Sequence, residues 1–191
     1  MHNCHAVRLQ RQTRAYAVGM MVFGSLSLTS VARESWPAAL LVALLLGLFL
    51  WFGARLSAKD LATHRLPNTL VARWLLASFI LLAVLSAIRM DFWPMLQAVL
   101  GMALLCGGYL LVALLSSGAM GMGDVKLAAV LGLNLGYFSL VALFAATVIS
   151  FVLASVVVLI GVLLRRLTLK SAVPFGPFML VGALAALLMA R

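Results

Sequence analysis

Acidic residues are scarce in this chain: there are four among 191. Charge of either sign is thin, at 9% of residues, where a soluble domain carries about a quarter. That shortage argues against an ordinary water-facing surface. Cysteine is almost missing as well. Cys4 lies in a polar tail and Cys106 inside an apolar run, and no C-x-x-C pair exists, so neither a zinc site nor a disulfide framework is indicated. No basic stretch is interleaved with aromatics, so the formal charge of +10 does not suggest nucleic acid. The basic residues instead sit at the ends of apolar segments, where membrane topology and anionic lipid account for them. In-out alternation is lacking too, which sets aside a membrane barrel.

Apolar length is what the chain does have. Hydrophobic residues make up 65%, in continuous Leu- and Ala-rich runs. A polytopic membrane protein follows, and its runs are helical because a helix satisfies its own backbone in lipid. The expected fold class is all-α: a polytopic membrane helical bundle of six core spans plus an extra N-terminal helix. Residues 1–35 form a basic tail and a weak first segment; residues 36–191 form the main domain.

The spans read as follows. Ala15 to Val31 is apolar but diluted by Ser25, Ser27, Thr29 and Ser30. A retained helix is the favoured reading, with a signal segment as the alternative. Trp36 to Gly53 is flanked by tryptophans, as membrane interfaces favour. Arg55 to Asn68 is expected as a polar loop. Thr69 to Ile88 carries Arg73 close enough to its polar end to snorkel. Arg89 to Pro94 is a short turn, and Met95 to Leu115 spans again. After a Gly-rich loop, Asn134 and Gly136 are expected to break a long run into a short helix, Val125 to Leu133, and a long one, Tyr137 to Leu164. Pro174 to Ala190 is the last span.

Charge orients the bundle. With a cytoplasmic N-terminus, Arg8, Arg11, Arg14, Arg55, Lys59, Arg65, Lys126, Arg165, Arg166 and Lys170 fall inside, and Arg33, Arg89 and Arg191 fall outside. That bias satisfies the positive-inside rule. Dropping the first span leaves the orientation of the rest unchanged.

The four acids then sort themselves. Two spans separate Asp60 from Asp124, so the chain returns to the side it left, and both carboxylates fall at cytoplasmic helix ends. Glu34 and Asp91 fall on the opposite side. Two carboxylates brought close together share one proton. The ionised member can then act as a base on water, and the protonated member as an acid on a carbonyl. Such a pair titrates as a unit. Gly121 and Gly123 flank Asp124 and would let the backbone take unusual conformations and approach a peptide closely. Asp124 opens a helix, where the dipole favours a negative charge. Pro67 with Asn68 supplies a stop and a restart.

Plainer readings stand beside these. An aspartate in a membrane loop is usually only solvated, and a Gly-rich loop between spans is usually only a turn. His64 reads as a loop residue and the methionines as packing. Lys126 could simply anchor its helix at the headgroups. A small ion-coupled transporter and a non-catalytic membrane subunit of a pilus or secretion machine are the alternative functions. No internal inverted repeat supports the transporter.

Three patches resemble the type IV prepilin peptidases, membrane aspartyl proteases that trim pilin precursors. They are DLATHRLPN from Asp60, the G-x-G-D element in GMGDVKL from Gly121, and VPFGPF from Val173. Order and intervening spans agree with that family from about Trp36 onward. The resemblance implies that Asp60 and Asp124 are the catalytic pair, and that a basic leader is cut at the cytoplasmic face of the inner membrane. The substrate would be a prepilin or pseudopilin, and no metal or other cofactor is called for. Gly121 and Gly123 carry over as loop elements, and Pro174, Gly176 and Pro177 as a motif shaping the last helix beside the site. The expected substrates place a Glu shortly after the cut, and Lys126 is a candidate cation for it. The loop before Asp60 is short and has no cysteine pair, unlike the longer members that methylate the trimmed pilin. The chain therefore resembles the short, peptidase-only class of Flp (tight-adherence) systems.

Overall fold

The computed structural model describes residues 26–63, 67–115, 121–165 and 174–189. The basic tail, most of the first expected span, His64 to Leu66 and the basic loop after Arg165 lie outside the described residues. Seven helices and no strand form among those described: α1 Leu28–Glu34, α2 Trp36–Thr63, α3 Asn68–Arg89, α4 Trp93–Leu115, α5 Met122–Phe138, α6 Leu140–Leu163 and α7 Gly176–Met189. Four of them, α2, α3, α4 and α6, are long and apolar enough to cross a membrane. Their outward faces expose Leu, Val, Ile and Phe widely, as lipid contact requires.

The short helix α5 is the axis of the bundle. Its residues from Leu127 to Phe138 are buried almost without interruption, as an all-round apolar helix must be. Its close partner is α4, and glycine makes that approach possible. A Cβ on Gly101 would stand 2.5 Å from the Gly132 carbonyl oxygen and 2.8 Å from the Gly136 Cα. A Cβ on Gly136 would stand 2.7 Å from the Gln97 carbonyl oxygen. Gly132 and Gly136 are four apart, the small-xxx-small spacing that lets membrane helices touch by backbone.

This corrects the expected break at Asn134 and Gly136. The helix runs straight through both residues and ends at Ser139 instead. Asn134 turns its amide inward, donating to the Val130 carbonyl at 2.8 Å and to the Ser78 hydroxyl of α3 at 3.2 Å. Ser139 adopts an extended conformation and its hydroxyl accepts from the Ala142 N–H at 3.2 Å, capping α6. A serine directly before an apolar run is the N-cap signal.

The two ends of the bundle differ chemically. At one end Arg89 grips Glu34 with two hydrogen bonds, at 2.7 and 2.9 Å, tying α1 to α3. There Ser86 donates to the Tyr137 hydroxyl at 3.2 Å, and the Leu26 N–H donates to the Phe138 carbonyl at 2.7 Å. Asp91 belongs to the same end, where its carboxylate accepts from the Trp93 N–H at 3.0 Å. The other end carries Asp60, Asp124 and the start of α7.

Candidate active site

Asp60 sits on a helix, not in a loop as expected from the sequence. The second helix continues through the polar stretch to Thr63. The reason lies in its inward stripe. Phe49, Phe52, Leu56 and Asp60 recur at helical spacing, and all four are buried, so Asp60 is the last inward position of a face that is otherwise hydrocarbon.

A carboxylate in the last turn of a helix faces the negative end of that helix's dipole. Compensation comes from α7, 116 residues further on. The Gly176 N–H, first in that helix, donates to Asp60 Oδ2 at 3.1 Å. The positive end of α7 therefore meets the acid. The absence of a side chain on Gly176 allows this approach, because a Cβ there would lie 2.7 Å from the same oxygen and the carboxylate would have to shift. Pro177 is tolerated in that first turn because helix-start N–H groups have no intrahelical acceptor.

Asp124 occupies the first turn of α5, where its own helix dipole favours a negative charge. It is half-buried, and the Asp60 carboxylate is near enough to act on it electrostatically. The fold thus brings these two acids together at one end and leaves Glu34 and Asp91 at the other.

The glycines beside Asp124 differ from expectation. Gly121 has ordinary extended backbone, φ −71° and ψ 140°, and Gly123 lies within α5, so no unusual conformation is demanded of Gly121. What Gly121 supplies is bareness. A Cβ there would rest 3.7 Å from Asp124 Oδ2, and without it that approach to the carboxylate stays open. Lys126 is exposed and donates to the Asn68 side chain at 2.8 Å, joining the start of α5 to the start of α3.

An aromatic group gathers next to the start of α7. Tyr109 of α4, Phe151 of α6 and Phe175 pack on one another, with ring centroids 5.1 to 6.2 Å apart. An open apolar cavity of about 280 Å³ runs between α4 and α6, lined by Leu104, Gly108, Tyr109, Phe144, Thr147 and Phe151 among others, several of them exposed at the outer face. Among the described residues, no three His, Cys, Asp or Glu side chains gather into a metal site.

Sequence reasoning placed Gly176 near the site without giving it a partner, and did not single out Tyr109. The first had a signal in the V-P-F-G-P-F element. The second had none, since a tyrosine in an apolar run looks like any interfacial aromatic.

A sequence model of the type IV leader peptidase family matches residues 47–163, more than half of the chain, and both aspartates fall within the match. No curated protein and no solved structure matches the chain.

Proposed function

This chain belongs to the type IV leader peptidase family, and from that premise we propose that it is a membrane aspartyl endopeptidase with Asp60 and Asp124 as its catalytic pair. The substrate is a prepilin or pseudopilin, cut between a basic leader and the apolar helix that follows. The observation that carries this reading is the convergence at one end of the bundle. Asp60 is buried, held by the Gly176 N–H, and acts on the Asp124 carboxylate.

The chemistry needs no other group. One carboxylate is ionised and takes a proton from water as the water oxygen bonds to the scissile carbonyl carbon. The other is protonated and hydrogen-bonds the carbonyl oxygen. The tetrahedral intermediate then collapses: the carboxyl that took the water proton passes it to the amide nitrogen, the C–N bond breaks as the carbonyl re-forms, and the amine leaves while that carboxyl returns to its ionised state. Gly121 and Gly123 leave the substrate backbone room beside Asp124.

The charge count supports a cytoplasmic face of the inner membrane for this end. Residues 36–191 act as the peptidase domain, with residues 1–35 accessory to it. No cysteine pair precedes Asp60, so trimming without methylation, as in the short Flp-type class, is the activity assigned. Lys126, exposed beside Asp124, meets the acidic residue that follows the cut.

The test is purified protein with a synthetic leader-spanning peptide. Asp60→Asn and Asp124→Asn should each lower cleavage by about 10²- to 10⁴-fold or more, while Asp91→Asn stays at the parent rate. Retained cleavage in either site variant refutes the pair. Lys126→Glu should raise KM several-fold and leave kcat nearly alone. An unchanged KM removes Lys126 from substrate binding.

A further inference from the structure

The cavity between α4 and α6 has no part in the chemistry assigned so far. It is an open recess of about 280 Å³, and no charged side chain lines it. The Thr147 hydroxyl in its wall already donates to the Leu143 carbonyl at 3.0 Å. Exposed hydrocarbon is ordinary on a membrane-crossing helix, but a recess between two of them leaves its walls without packing partners. Gly108 forms part of that wall, and a Cβ on it would meet nothing within 4 Å. About two turns earlier on the same helix, Gly101 stands in backbone contact with α5. Bare glycine lets one membrane helix approach another closely. On α4 that approach is taken at Gly101 and left open at Gly108.

Where the recess leads decides what fills it. Phe151 and Tyr109 in its wall pack on Phe175, with ring centroids 5.1 and 6.2 Å apart. Phe175 directly precedes Gly176, whose N–H holds Asp60 at 3.1 Å. From there the wall runs back along α6 to Phe144, near the start of that helix and toward the opposite end of the bundle. Its stretch on α6, Leu143 to Phe151, is about 12 Å long, or roughly two helical turns. The recess therefore begins beside the acid-bearing end and continues as pure hydrocarbon into the bilayer.

We propose that this recess is the docking groove for the apolar helix of the substrate, which enters sideways from the bilayer. This rests on the proteolytic reading above and adds a binding surface to it. A basic leader followed by an apolar helix matches the surface in order. The positive segment falls at the end that holds Asp60 and Asp124, and the first turns after the cut lie between α4 and α6 against Gly108. The bond between them arrives at the acids.

The experiment compares parent, Gly108→Phe and Gly47→Phe proteins in detergent on two synthetic peptides. The long one has a basic leader, the cut and about 20 apolar residues, enough to span a bilayer. The short one stops a few residues past the cut. Gly47 is the control, since it is exposed on α2 and a Cβ there also meets nothing within 4 Å. Gly108→Phe should raise KM for the long peptide about tenfold and leave the short peptide within about twofold. Gly47→Phe should match the parent on both. An unchanged KM for the long peptide overturns the groove. So does an equal loss on both peptides, or the same loss in Gly47→Phe.

A second measurement does not depend on cleavage. In an Asp124→Asn protein whose own cysteines are replaced, Phe144→Cys should crosslink to a cysteine in the apolar helix of the long peptide. Leu44→Cys, on the exposed face of α2, should not. Absence of the crosslink at position 144 would leave the recess to lipid and overturn the proposal. A parent that cuts neither peptide removes the proteolytic reading and this one with it. A parent that cuts both, with an unimpaired Gly108→Phe, removes only the groove.

Discussion

Asp60 shows how much one buried charge demands of its surroundings. It lies at the wrong end of its own helix for the dipole and among hydrocarbon neighbours. Both problems are met by a single N–H, from Gly176, at 3.1 Å. Gly176→Ala tests that dependence. The added carbon would meet the carboxylate oxygen at 2.7 Å, so either Asp60 or the start of α7 must move. Overpacking of that kind costs about 1–3 kcal/mol. The expected outcome is a lower unfolding temperature together with at least a tenfold loss of peptide cleavage, since Asp60 loses the hydrogen bond that holds it. A Gly176→Ala protein that cleaves at the parent rate would mean the contact is not needed.

At the scale of elements, the pairing of α4 with α5 fixes where Asp124 can be. Gly101, Gly132 and Gly136 bring the two backbones into direct contact, and Asp124 rides on the first turn of the helix so held. Gly132→Val should push the helices apart and destabilise the protein by roughly 1–3 kcal/mol or more, read as a fall in unfolding temperature or in the amount accumulating in membranes. Most of the element pattern was legible in advance. Apolar run lengths give the long spans, and Trp36 and Pro67 mark ends. The boundary at Asn134 was misread because a polar residue and a glycine look like a loop when seen along one strand of sequence. In the fold, the asparagine bonds to Ser78 and the glycine packs against Gln97. Those partners lie 56 and 39 residues away, and no local pattern announces them. The extension of α2 past Arg55 was missed for the opposite reason. Its charges looked like a loop, but they fall on the outward face while Leu56 and Asp60 keep the inward one.

Across the whole molecule, the fold separates two chemically distinct ends. One is closed by Glu34, Arg89, Ser86 and Tyr137, the other carries the candidate catalytic pair. Counting two spans between Asp60 and Asp124 is enough to place both at one end, because parity needs no knowledge of packing. Which end faces the cytoplasm rests on the charge count. Single cysteines at Lys59 and at Asp91, in a protein whose own cysteines are replaced, should label from opposite sides of sealed inverted vesicles. The Lys59→Cys protein should react with an impermeant maleimide in those vesicles and the Asp91→Cys protein in intact cells. Labelling of both from one side would overturn the topology.

The contact between Gly176 and Asp60 joins parts of the chain made far apart in time. Asp60 leaves the ribosome before Asp124, yet the group that steadies Asp60 is made 116 residues after it. Throughout translation the nascent chain holds both acids without the brace that sets one of them. The proposed pair is therefore complete only after α7 has been threaded into place beside α2.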